Sequence, residues 1–253
     1  MFDGHSHLDK RLGSVTEAMH ALHRDASGAG VKGMVLLNLP EEGYKNEEVL
    51  ERAKGYDGFF RVFPSLNPGH KKVFEDLHRL RVSGASGLKL HPRLHNYQVD
   101  SAESASLVTL AGRLRMPVII DGFPDGKNIA LGNLPDAFAR LAEKATGTRI
   151  AIGHAGGHRL LDALMAAKYF KNLHLDLSYT LLYYRNASLT GDIAYAIESI
   201  RGERVFWGSD YPDRPYSETV NLSREMLEGM NLPGDCLKRV MEKNVRLFLG
   251  EDL

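Results

Sequence analysis

Several stretches of this chain carry residues whose type and spacing could do chemistry. Near the start, Asp3-Gly4-His5-Ser6-His7-Leu8-Asp9 sets two histidines one residue apart. In an extended strand alternate side chains share a face, so His5 and His7 point the same way, and two neutral imidazoles can grip one divalent cation. Near the end, Phe206-Trp207-Gly208-Ser209-Asp210-Tyr211-Pro212 is an apolar run that stops at a carboxylate, which puts Asp210 at a strand exit. Between them, Ile150-Ala151-Ile152-Gly153-His154 and Gly87-Leu88-Lys89-Leu90-His91-Pro92-Arg93 also end in imidazoles, with Lys89 on the same face as His91. A lysine inside an apolar strand must meet a carboxylate, an anionic substrate group or CO2 as a carbamate, because burying it unpaired is costly. Taken singly, each motif has a plainer reading, since paired histidines also pack or hydrogen-bond and an aspartate after a strand also caps a turn. Their common position at strand exits is what points to a site.

Groups so far apart in the chain need a scaffold that returns every strand exit to one rim. Short β-branched or apolar runs alternate with segments of helical period, the pattern of repeated βα units. The strands fall at about Phe2 to His7, Lys32 to Leu37, Phe59 to Leu66, Gly87 to His91, Pro117 to Asp121, Arg149 to Gly153, Leu173 to Leu177 and Arg204 to Gly208. Eight such units in 253 residues make one (β/α)8 barrel, the TIM-barrel fold, as a single domain over 1–253, with no Ser/Gly linker dividing it. An open doubly wound sheet is the alternative, but it needs only two or three functional loops, whereas polar residues follow nearly every strand here.

Lys plus Arg equals Asp plus Glu at 32 each, so no overall field draws the chain to nucleic acid or to an anionic membrane. Cys236 is the only cysteine, which excludes an intramolecular disulfide or a Cys-rich zinc site and makes it an inert core residue. No segment approaches eighteen consecutive apolar residues and the N-terminus lacks a signal pattern, so a cytoplasmic location is expected, with a homodimer as the default assembly. His20, His23, His70, His78 and His174 have no partner spacing and read as surface or satisfied core groups.

Asp-Gly-His-Ser-His, Gly-Leu-Lys-Leu-His-Pro with Tyr97 following, Pro-Val-Ile-Ile, Gly-His-Ala-Gly-Gly, Gly-Ser-Asp-Tyr-Pro and the closing Asn244 to Gly250 come in an order that resembles the amidohydrolase superfamily. The resemblance spans the chain and is to the branch holding metal-dependent hydrolases, lactonases and the aminocarboxymuconate semialdehyde and resorcylate decarboxylases. It implies that His5, His7 and Asp210 bind a metal and that His154 contacts the attacking water or substrate. The family's fifth-strand histidine is missing, because this chain reads Pro117-Val118-Ile119-Ile120-Asp121 there. Asp121 is expected either to replace it as an oxygen ligand, giving a divalent site for zinc or, with more oxygen, manganese or iron, or to neutralise Lys89.

On this reading Asp210 and His154 are catalytic; His5, His7, Asp121 and Asp210 hold the metal. Lys89, His91, Arg93, Tyr97 and Arg185 bind a small substrate, which such a cationic rim suits to be a carboxylate. The expected reaction is hydrolysis of a small amide, ester or lactone by activated water. The alternatives are metal-assisted non-oxidative decarboxylation of an unsaturated or aromatic acid, and a metal-free lactonase-like enzyme or silent barrel.

Overall fold

A computed structural model describes residues 1–251. Eight strands alternate with eight principal helices: β1 (Asp3–Ser6), α1 (Val15–Gly28), β2 (Met34–Asn38), α2 (Asn46–Ala53), β3 (Phe60–Pro64), α3 (Val73–Val82), β4 (Leu88–Leu90) and α4 (Ala102–Arg113) form the first half. The second half is β5 (Val118–Asp121), α5 (Pro135–Lys144), β6 (Ile150–Gly153), α6 (Leu160–Tyr169), β7 (Leu173–Asp176), α7 (Leu189–Ser199), β8 (Val205–Phe206) and α8 (Tyr216–Gly229), followed by α9 (Asn244–Leu249). Every strand lies within two residues of its expected bounds at both ends.

All pairings are parallel, in the orders β1-β2-β3 and β4-β5-β6-β7-β8. Two parallel bridges join these sheets into a ring: Ser6 with Tyr211, beside a Gly4 N–H to Trp207 carbonyl bond of 3.0 Å, and Ser65 with Lys89. The fold is the (β/α)8 barrel.

Local chemistry starts the helices. Ser14 and Ser101 cap α1 and α4 by accepting from the backbone N–H groups of Glu17 and Ser104, and Pro135 opens α5 where no N–H is needed. One apolar cluster lies between strands and helices. A second fills the barrel with Val35, Leu37, Phe63, Ile119, Ala151 and Phe206, and Val245 and Phe248 of α9 pack into it.

His174 differs from the expectation. It stands in β7, buried, its ring 5.0 Å from that of Phe248, and its Nδ1 has no hydrogen-bond partner among the described residues. Strand alternation carries it toward the packed interior, where no acceptor is in reach. Burial, with Arg204 and Arg149 adding like charge, pushes its pKa down to about 3. The unfolded chain therefore takes up a proton near the ordinary value of 6.5 that the folded chain refuses, so stability is lost as pH falls from 6.5 toward 3. The expected loss from this one group is about 1.4 kcal/mol per pH unit. Urea melts of His174→Leu should show a shallower acid slope between about pH 5 and pH 6.5 than the parent; equal slopes would contradict this assignment.

Candidate active site

Three lone pairs meet at the carboxyl ends of β1 and β8. His5 Nε2 lies 3.2 Å from His7 Nε2, and Asp210 Oδ1 lies 3.2 Å from the first and 3.7 Å from the second. What each imidazole offers inward is set by what it meets at its other nitrogen. His7 Nδ1 is 2.9 Å from the Leu37 carbonyl, which can only accept, so the proton sits on Nδ1. His5 Nδ1 is 2.5 Å from Asp176 Oδ2, both side chains being fully buried, and donates to that carboxylate. Burial and Lys89 push the His5 pKa well down, and burial and His5 do the same to His7, so both rings are neutral.

His5 Nε2, His7 Nε2 and Asp210 Oδ1 are thus three acceptors facing one another with no proton among them, all within 4.8 Å. Such a cluster repels itself unless a cation joins it. Two nitrogens and one oxygen suit a catalytic metal centre that keeps open positions. The donor set fits a divalent ion.

The backbone is shaped to hold this cluster. A Cβ on Gly208 would lie 2.5 Å from His5 Cβ, so β8 can run this close to β1 only with glycine there. Asp210 and His154 take left-handed backbone at φ 53 and φ 60, each at a cost of about 1–3 kcal/mol. A hydrogen bond of 2.8 Å from Asp210 N–H to the His5 carbonyl keeps the first in place.

Asp121, expected as a fourth ligand or as the partner of Lys89, is committed elsewhere. Its Oδ1 accepts from Arg93 Nη2 at 3.2 Å and lies 3.4 Å from His154 Nε2. Its Oδ2 accepts from Asn128 Nδ2 at 2.9 Å, with Arg93 Nε 3.0 Å away. Burial would raise its pKa, but the bond to His154 and the charges of His91, His154 and Arg93 hold it well below the usual carboxylate range. His154 is tuned in the opposite sense. Burial would lower it, yet Asp121, Asp210 and Asp176 together raise its pKa. With the Ser178 carbonyl 3.1 Å from Nδ1 and Asp121 facing Nε2, both its nitrogens face acceptors, which favours the imidazolium.

Lys89 does enter the barrel mouth. It is 1% exposed, and among the described residues it has no ion pair within 4.0 Å. Burial lowers its pKa against the opposing fields of Asp121, Asp176 and Asp210. The expected Lys89–Asp121 pair does not form, because Arg93 and Asn128 already occupy the carboxylate. Lys89 instead lines a cavity of about 250 Å³ together with His7, His91, Arg93, His154 and Asp210. The Tyr97 hydroxyl is buried nearby without a hydrogen-bond partner among the described residues, and Asp121 adds to burial in raising its pKa. Arg185 lies exposed and outside this lining. The Phe123 ring packs against His154, centre to centre 6.0 Å, and against Tyr179 at 5.2 Å.

Asp176, Ser178 and Asn128 escaped the sequence reading. Ser178 Oγ lies 3.0 Å from His5 Nδ1 and 3.3 Å from His154 Nδ1, so the end of β7 backs both rings. The one available signal was the polar alternation His174, Asp176, Ser178 in an otherwise apolar strand.

A barrel with this cluster at its carboxyl rim belongs to a recognised class. The amidohydrolase family model matches residues 25–250, and the chain belongs to that family. Among solved structures it is similar to an uncharacterized TIM-barrel protein from Bordetella bronchiseptica, at TM-score 0.82 and 17% identity over 99% of both chains. It is also similar to a zinc-bound amidohydrolase from Burkholderia multivorans, at TM-score 0.73 and 15% identity over 99% of both. A third similar structure is the 5-carboxyvanillate decarboxylase of Sphingomonas paucimobilis, at TM-score 0.70 and 12% identity over 99% of both. Among proteins of curated function, none matches in sequence.

The short Asp176–His5 contact has a direct consequence for metal binding. Removing the carboxylate that fixes the ring and its proton should weaken affinity about 10- to 100-fold. Titration calorimetry with zinc or manganese on Asp176→Asn, with circular dichroism to verify the fold, reads this, and an unchanged affinity would contradict the tautomer assignment.

Proposed function

We propose that this amidohydrolase is a metal-dependent hydrolase of a small amide, ester or lactone that bears a carboxylate. One observation carries the reading: three proton-free acceptors, His5 Nε2, His7 Nε2 and Asp210 Oδ1, converge beside a cavity lined by a buried ammonium that has no ion pair among the described residues. A divalent ion held by the three would acidify water and polarise a carbonyl, zinc being the first choice and manganese or iron the alternatives.

The chain's own groups supply the rest. Lys89 and Arg93 draw in the substrate carboxylate, and the small cavity fixes the reacting carbonyl near Asp210. Asp210 takes the proton of the attacking water, and protonated His154 faces the developing oxyanion. Asp121 serves His154 and Arg93 rather than the cation.

A second reading has its own support. The carboxylates around His154 raise its pKa, and an imidazolium in the cavity is the donor that non-oxidative decarboxylation requires, since the carbanion left by departing CO2 must take up a proton. Acid release measured on small lactones and esters, against CO2 release from unsaturated and aromatic acids, separates the two. In the active assay Lys89→Met should raise KM for carboxylate-bearing substrates about ten-fold or more while leaving neutral analogues nearly unaffected. Equal effects on both would remove the anion-binding role. Less than about a tenth of an equivalent of any divalent metal in protein purified without chelators, with no response to added zinc or manganese, would rule out the metallohydrolase and leave the metal-free or silent barrel.

A further inference from the structure

We propose, on the metal-binding reading above, that Asp3 is a positioning residue: its carboxylate fixes a bulge in β1, ties that bulge to the exit of β8, and so sets the spacing of the cation's ligands. The ladder between β1 and β2 slips within the first strand. Asp3 pairs with Met34 and Ser6 with Leu36, so three steps on β1 span two on β2. An extra residue of this kind bends a strand and re-aims the side chains beyond it. Here it falls at Gly4 and His5, between the two paired positions. Only glycine fits at the first, where a Cβ would lie 2.4 Å from the Phe206 ring and 2.9 Å from the Trp207 carbonyl.

Two backbone N–H groups beside this closure need an acceptor, and one oxygen serves both. Asp3 Oδ1 accepts from the His5 N–H at 3.0 Å and from the Ser209 N–H at 2.9 Å. Tyr216, the first residue of α8, donates its hydroxyl to Oδ2 at 2.8 Å and holds the carboxylate in that orientation. All four residues are buried. Asp3 therefore joins the backbone at one imidazole of the cluster to the backbone next to its carboxylate, and the 3.2 Å from His5 Nε2 to Asp210 Oδ1 spans this link. The seam also has bonds between backbone groups, from Asp210 N–H to the His5 carbonyl and from Gly4 N–H to the Trp207 carbonyl. Asp3 adds the part that depends on a side chain. Without it two N–H groups would be buried unpaired, a cost relieved by parting the strands or admitting water.

Shape and charge separate in two substitutions. Asp3→Asn keeps an oxygen that can accept from both N–H groups and turns its amide toward the Tyr216 oxygen, whereas Asp3→Glu keeps the charge and displaces the oxygens by one methylene. In zinc titration calorimetry, with circular dichroism to verify the fold, Asp3→Asn should stay within about three-fold of the parent affinity and Asp3→Glu should fall about ten-fold or more. Asp3→Ala removes the oxygens without crowding the core; it should fall likewise, and it supplies the reading if the longer side chain does not fold. In the metal-free protein, the His5 and Ser209 amides should exchange about ten-fold faster in Asp3→Ala than in the parent or in Asp3→Asn. A residue that merely supports the fold would lower the thermal melt and leave zinc affinity unchanged, which would overturn the proposal. A loss in Asp3→Asn equal to that in Asp3→Ala would overturn it too, by assigning the effect to charge. A parent that binds no zinc contradicts the metal-binding reading instead; unchanged amide exchange in Asp3→Ala then overturns the role of Asp3 separately.

Discussion

Three acceptor atoms are pressed together at the mouth of this barrel with no hydrogen to share, and much of the surrounding structure exists to keep them so. A bare imidazole nitrogen would rather turn to water than face another bare nitrogen at 3.2 Å. It is prevented because each ring is tethered from behind, His7 by a backbone carbonyl of β2 and His5 by Asp176 of β7. The tethers fix the tautomers as well as the ring planes. Glycine at 208 lets β8 close against His5, and the left-handed turn at Asp210 delivers the carboxylate. The arrangement is poor as a resting network of hydrogen bonds and good as a receptor for a cation.

The same constraint explains the departure on the fifth strand. Four carboxylates, Asp3, Asp121, Asp176 and Asp210, lie at or near this rim, three of them fully buried. Burial raises Asp3 and Asp176 to about 6, with hydrogen bonds opposing in both cases, so each still keeps its charge at neutral pH. The positive side consists of Lys89 and Arg93, with His154 beside them raised in pKa by the surrounding carboxylates. Asp121 faces Arg93 and His154, Asp125 takes the other side of Arg93, and Lys89 is left as the ammonium without an ion pair among the described residues. An incoming anion would therefore meet Lys89 first, with the already paired Arg93 beside it.

The eight strands were legible because alternation of apolar runs with helical periods depends on local sequence, and strand exits could be located from where those runs stop. The pairing of His5 with His7 followed from strand alternation alone, and Asp210 from its place after the last run. The Lys89–Asp121 expectation failed for a different reason. Strand registers bring the two side chains into the same region, but whether they pair depends on competitors, and Arg93 and Asn128 arrive from the short helices Pro92–His95 and Gly126–Leu131, whose placement no periodicity encodes. Asp176 was hidden because Leu-His-Leu-Asp reads as an ordinary strand end, and only the closed ring reveals that β7 backs His5, 171 residues earlier in the chain. His174 shows the same blindness, since nothing local shows that its ring meets Phe248 instead of an acceptor.

On the proposed function, His5, His7 and Asp210 alone receive the cation while Asp121 stays with Arg93 and Asn128. Crystals of the protein loaded with zinc or manganese, with anomalous diffraction collected at the metal edge, test it most directly. One anomalous peak is expected within about 2.0–2.3 Å of His5 Nε2, His7 Nε2 and an Asp210 oxygen, with Asp121 still bonded to Arg93. A peak ligated by Asp121, or none between the two imidazoles at saturating metal, would contradict it.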